Sequence, residues 1–81
     1  MNEYAMQIRK DAPKLGLAIE LISAKVLVYV GNEGACKKLI AMQGLDYADG
    51  KATKDGVLCG RLFPLGGRTL VMLYPEHMEK I

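Results

Sequence analysis

Val26-Leu27-Val28-Tyr29-Val30, closed at once by Gly31, is a continuous apolar, β-branched run with no polar residue alternating through it. A strand with one wet face alternates, so a run without alternation predicts an interior strand covered on both faces, as in parallel sheets flanked by helices. Asn32-Glu33-Gly34 then leads into Ala35 to Met42, where Ala35, Leu39 and Met42 mark the packed side of a helix and Lys37 and Lys38 the wet side. Strand, glycine turn and helix in that order make half of a βαβ unit.

Upstream, Asp11-Ala12-Pro13 carries helix-start signals. Asp accepts hydrogen bonds from first-turn N–H groups, and Pro at an opening position gives up a donor the helix does not use. The predicted helix runs to about Ile22, with Leu15, Ala18, Ile19 and Ile22 on one face and Leu17 and Leu21 widening it until it must be covered on two sides. Asn2 to Lys10 reads as a short helix or an arm.

Downstream, Gly44 to Gly56 reads as a surface loop with Asp49-Gly50 and Asp55-Gly56 as turn dipeptides. Val57 to Leu65 reads as a strand broken at Gly60, and Gly66-Gly67 as the two-residue turn of an antiparallel hairpin. Its second strand, Thr69 to Tyr74, is placed beside Val26 to Val30, Pro75 stops it, and Glu76 to Ile81 forms a short helical tail. The expectation is a single α/β domain over residues 1–81. Its sheet has about three strands, one central parallel-type strand plus a C-terminal hairpin, packed by two or three helices.

At 81 residues a chain buries only about 60–65% of the surface it exposes when unfolded. The composition is 51% hydrophobic with no Trp and one Phe, so the core is aliphatic and thin, and self-association into a dimer or higher oligomer is expected. A net charge of +2 is too balanced for nucleic-acid binding by bulk electrostatics. Cys36 and Cys59 have neither C-x-x-C nor zinc-ligand spacing and read as reduced, buried thiols. With no leader pattern and no apolar run near the roughly 20 residues of a membrane span, a cytoplasmic protein without cofactor or membrane contact is expected.

Three places could carry chemistry. The turn Gly31, Asn32, Gly34 at a helix N-terminus offers free N–H groups to an anion, although Glu33 opposes one, and Asn32 serves equally as N-cap or as ligand amide. Tyr74-Pro75-Glu76-His77 gathers the only histidine, a carboxylate and a phenol at a strand end. Lys37, Lys38, Lys51, Lys54, Arg61 and Arg68 are either phosphate contacts or scattered solvated charges.

The order of elements resembles the C-terminal half of the uracil-DNA glycosylase superfamily over roughly Ala12 to Met78. The residues carrying the likeness are Ile19-Glu20-Leu21-Ile22, Ala24-Lys25 through Gly31, Ala35 with Lys37-Lys38-Leu39, Gly60-Arg61-Leu62-Phe63, and Leu73-Tyr74-Pro75. The resemblance implies a partial α/β/α sandwich whose last loop contacts DNA, with Tyr74, Pro75 and Glu76 where the family has His-Pro-Ser and Met78 near its base-flipping wedge. Tyr74 replaces the catalytic residue, Glu76 puts a negative charge against phosphate, and the family's water-activating motif lies upstream of the matched region. Ala12 stands near where some members have a cluster-binding cysteine. The implied function is a catalytically silent fragment that contacts DNA or completes a site by oligomerising; a ligand- or protein-binding module unrelated to DNA is the alternative.

Overall fold

Asn2 opens the first helix by accepting the Ala5 N–H on Oδ1 at 2.8 Å. The chain is described by a computed structural model covering residues 2–23 and 25–81; the predicted contribution of Ala24 to the family likeness lies outside the described residues. Helix α1 spans Glu3–Lys14 and ends where Gly16 takes a positive φ of 75°. The Gly16 N–H donates to the Pro13 carbonyl at 3.1 Å and the Leu17 N–H to the Ala12 carbonyl at 3.2 Å, which closes the helix in a Schellman motif and buries Leu17. What precedes Lys10 is therefore a full helix rather than an arm, and the helix predicted to run to Ile22 stops eight residues earlier in register with Gly16. Asp11 does not cap it. It is buried inside α1, where it accepts Gln7 Nε2 at 3.0 Å and Gln43 Nε2 at 2.9 Å and ties α1 to the second helix.

Strand β1, Ala18–Ile22, takes the place of that predicted helix and pairs antiparallel with β2, Leu27–Gly31. Helix α2, Glu33–Met42, follows as predicted, capped by Asn32 and ended by a second Schellman turn in which Leu45 N–H reaches the Ile40 carbonyl at 3.3 Å. The predicted loop at 44–56 holds two strands instead, β3 (Asp46–Ala48) and β4 (Lys51–Lys54). Then come β5 (Val57–Leu65), β6 (Arg68–Leu73) and the short helix α3 (Pro75–Met78). Three tight turns join β3 to β6. At Asp49-Gly50, Asp55-Gly56 and Gly66-Gly67 both residues have positive φ, the type I′ geometry that matches the twist of a two-residue hairpin.

The result is a six-stranded sheet in the order β1-β2-β6-β5-β4-β3, antiparallel at every pairing. The sheet has twice the predicted three strands, and its central strand is not parallel-type. β6 does return beside β2, but the chain reaches it through a hairpin meander instead of a crossover helix. Gly60 does not break β5; the irregularity is one extra residue, Cys59, where Ala52 pairs Gly60 but Thr53 pairs Leu58.

Both larger helices serve one side of this sheet. Ala5, Ile8 and Ala12 of α1 and Cys36, Leu39 and Ile40 of α2 form one core with Leu27, Tyr29, Val71, Leu73 and Met78. The architecture is thus two layers, helices over sheet, where the sequence pattern predicts helices on both faces. Among the described residues no helix is long and apolar enough to cross a membrane.

Candidate functional site

Alternation along each strand divides the sheet residues into two sets. Leu27, Tyr29, Leu62, Val71 and Leu73 point into the helix-covered core. Val28 and Val30 alternate with them and lie outside that core cluster, although their exposures are only 6% and 4%. Their same-face neighbours are fixed by the register. One row crosses the sheet as Leu21, Val28, Met72, Arg61 and Lys51; the next crosses as Ala18, Val30, Leu70 and Phe63; Arg68 and Leu65 begin a third.

No helix among the described residues lies over these rows, because α1 packs against α2 and α3 on the far side. Leu21, Phe63 and Leu65 are 50%, 43% and 53% exposed. The face thus offers accessible apolar surface on β1, β6 and β5, with Val28 and Val30 of β2 nearly buried between them. A patch of a few hundred Å² is of the size of the largest on many monomeric proteins, and such patches are often functional.

Apart from Arg68 on β6, its charges lie at its two ends. Lys51 and Arg61 are direct cross-strand partners, a like-charge pair that a sheet disfavours, and neither has an acidic partner among the described residues. At the opposite edge Glu20, the extra residue of a bulge between Ile19 and Leu21, is exposed. It too has no ion pair among the described residues.

Of the residues predicted from sequence, Lys51, Arg61 and Arg68 fall on this face, and the others lie elsewhere and do not converge. Asn32 is the α2 N-cap, its Oδ1 accepting the Ala35 N–H at 2.7 Å, and Gly31 completes β2 opposite Thr69. Glu33 already occupies the first turn, next to Gly34, and pairs with Lys37 at 3.3 Å, so that helix start carries its own negative charge. Lys37 also lies 5.3 Å from the Tyr47 ring centre. Lys37 and Lys38 belong to the helix layer, whereas Arg61 and Arg68 belong to the open sheet face.

The Tyr74 to Met78 segment is built into the fold. Pro75 and Met78 are fully buried, which removes Met78 from the role of an exposed wedge. His77 Nδ1 donates to the Leu58 carbonyl at 2.8 Å with its ring 5.2 Å from that of Tyr74, while Glu76 is exposed on the next position. A groove of about 860 Å³ beside α3 is lined by Asn2, Ile22, Ser23, Glu76, Glu79 and Lys80. Ser23 is the one hydroxyl among these residues, no histidine is among them, and Asn2 and Ser23 adjoin the two positions outside the described residues. Among the described residues no three His, Cys, Asp or Glu side chains gather to hold a metal.

Cys36 and Cys59 are free and buried. Burial, and then the nearby Glu33 charge, pushes the Cys36 thiol up; burial also raises Cys59, against a smaller opposing pull from Lys54. Burial raises the Tyr29 phenol as well, opposed by Arg9. Raised pKa values in the folded state hold protons that the unfolded chain releases. Their contribution to stability is therefore complete below the unfolded thiol range and lost as pH rises past about 8.5 and then about 10. Thermal melts should show the midpoint falling across that alkaline window, with the two thiols closed to Ellman's reagent until the transition. Rapid labelling of either thiol at neutral pH in the native state would contradict their placement in the core.

Comparison with family models, curated proteins and solved structures gives no match for this chain.

Proposed function

We propose that the chain is a protein-interaction module that works through its helix-free sheet face, and that it carries no catalytic centre of its own. One observation supports this above the rest: seven apolar side chains, Leu21, Val28, Val30, Leu70, Met72, Phe63 and Leu65, share one face over which the described residues place no second layer. Burying apolar surface is worth about 25 cal/mol per Å², so covering even half of such a face outweighs any single surface ion pair.

The DNA-contacting reading drew on Lys37, Lys38, Arg61 and Arg68, and these lie on different layers of the fold. It also drew on a helix ending Ile19 to Ile22, and that segment is an edge strand. The interaction reading is preferred because its residues are contiguous and share one orientation.

An environment-sensitive apolar dye tests it directly. At submicromolar protein the wild type should bind the dye, and Phe63→Lys with Leu65→Lys should remove most of that signal without moving the thermal midpoint by more than a few degrees. Dye binding that survives both substitutions would place the accessible apolar surface elsewhere and end the proposal.

A further inference from the structure

We propose that the occupant of the open face is a second copy of this chain, stacked sheet on sheet about a two-fold axis parallel to the strands. The inference rests on the interaction reading above and names its partner. Its ground is the self-complementarity of the rows.

An axis running between β2 and β6 brings β2 over the partner's β6 and β1 over the partner's β5, at unchanged height along the strands. In the first row this sets Val28 on Met72 of the other copy and Leu21 on the aliphatic stem of Arg61 of the other copy. In the second row it sets Val30 on Leu70, and it places Phe63, the one phenylalanine of the chain, over Ala18, the smallest side chain on the face. In the second row bulk thus meets a gap at both ends, as interdigitating sheet faces require.

Charge agrees with shape. Glu20 leaves its sheet at the β1 edge, beside Leu21, and the partner's Arg61 and Lys51 lie in the row that covers Leu21. The like-charged Lys51 and Arg61 pair gains the carboxylate it lacks within its own chain, and symmetry makes the contact twice. By contrast, an anionic lipid surface or a nucleic acid would satisfy Lys51 and Arg61 but would be repelled by Glu20 at the other end of the same face.

Area sets the strength. Four strands about 4.8 Å apart and about five residues long present a footprint of roughly 320 Å² per copy. Two such footprints fall well below the roughly 1,600 Å² of a standard stable complex, so the dimer is reversible, with a dissociation constant in the micromolar range or weaker. It forms by concentration.

Sedimentation equilibrium from about 1 to 500 μM, with charge-reversed variants, tests the pairing. A monomer–dimer equilibrium is expected in the wild type, lost in Phe63→Lys. Glu20→Arg should weaken it about tenfold, and adding Arg61→Glu to Glu20→Arg should restore most of that loss. Wild type that stays monomeric throughout overturns the pairing, even if the dye result keeps the face as an interaction surface for another partner. So does a dimer indifferent to Phe63→Lys, which would be an edge-strand pairing, or a monomer that binds anionic vesicles or oligonucleotides through the same face. Circular dichroism of each variant at the same concentrations confirms that every comparison is between folded chains.

Discussion

Replacing Gly60 with valine should destabilise the protein by about 3 kcal/mol and lower its thermal midpoint by roughly 12–24 °C. Valine is a favoured strand residue, and propensity alone would credit the change with up to about 1 kcal/mol in the opposite direction. Sterics decide the sign. A Cβ at this position would stand 2.6 Å from the Met72 carbonyl oxygen and 2.7 Å from Leu73 Cδ2, with Ala52 Cβ at 3.5 Å. The first of these is backbone and cannot rotate away, so β5 and β6 must separate where they pair through Gly60 and Leu73. Alanine carries the same Cβ and should already produce most of the loss. A midpoint for Gly60→Ala within a degree or two of wild type would show that the two strands sit further apart than described. The effect also reaches function, because Arg61 and Phe63 follow Gly60 on β5 and take their positions on the open face from it.

The parts of this fold that could be read from sequence are those whose signals are local and unshared. The strand within the Val26 to Val30 run, the helix after Asn32 and the Gly66-Gly67 hairpin are present as elements, although the strand is antiparallel and not parallel-type and Asn32 takes the capping one of its two readings. Ala18-Ile19-Glu20-Leu21-Ile22 has two readings as an element. Five residues with four apolar positions fit a helical face as well as a strand, and only the termination signal separates them. That signal was there: Leu15-Gly16-Leu17 puts glycine at the position after the helix cap and an apolar residue after that, and Gln43-Gly44-Leu45 repeats the pattern at the end of α2. The two Asp-Gly dipeptides were legible as turns but not as hairpins, because the strands between them are only three and four residues long.

Sheet direction was illegible for a different reason. β2 and α2 have the local form of a parallel unit, and what makes the sheet antiparallel is the three-turn meander that follows, a relation between distant residues. The candidate face sits between these cases. An apolar run without alternation does report that Val28 and Val30 avoid water as Leu27 and Tyr29 do. It is silent on whether the cover comes from the same chain. Reading helices onto both faces assigned to this chain a layer that its described residues do not supply.

Two adjacent residues of β6 put that distinction to its sharpest test. Leu73→Lys should abolish cooperative folding near neutral pH, whereas Met72→Lys should leave it nearly intact and suppress association. Leu73 is fully buried in the helix-covered core, against Gly60 of β5 and Leu27 of β2. Burial lowers a lysine pKa by about 3–5 units, and because the unfolded side chain stays protonated up to about 10.4 this costs about 4–5 kcal/mol of stability near neutral pH. A domain of this size has only about 4–12 kcal/mol in all. Met72 is partly exposed on the other face, between Val28 and Arg61, where a lysine can lay its stem along the sheet and keep its ammonium in water. Its cost to the monomer should stay near 1 kcal/mol, raised somewhat by the neighbouring Arg61 charge. In a dimer the same ammonium would be pressed against Val28 of the second copy, so association should fall by at least a hundredfold. The discriminating measurement is a chemical denaturation curve and a sedimentation run on each variant. Equal destabilisation by the two substitutions would mean that both faces of β6 are covered within the monomer, and the open face, with every inference built on it, would be withdrawn.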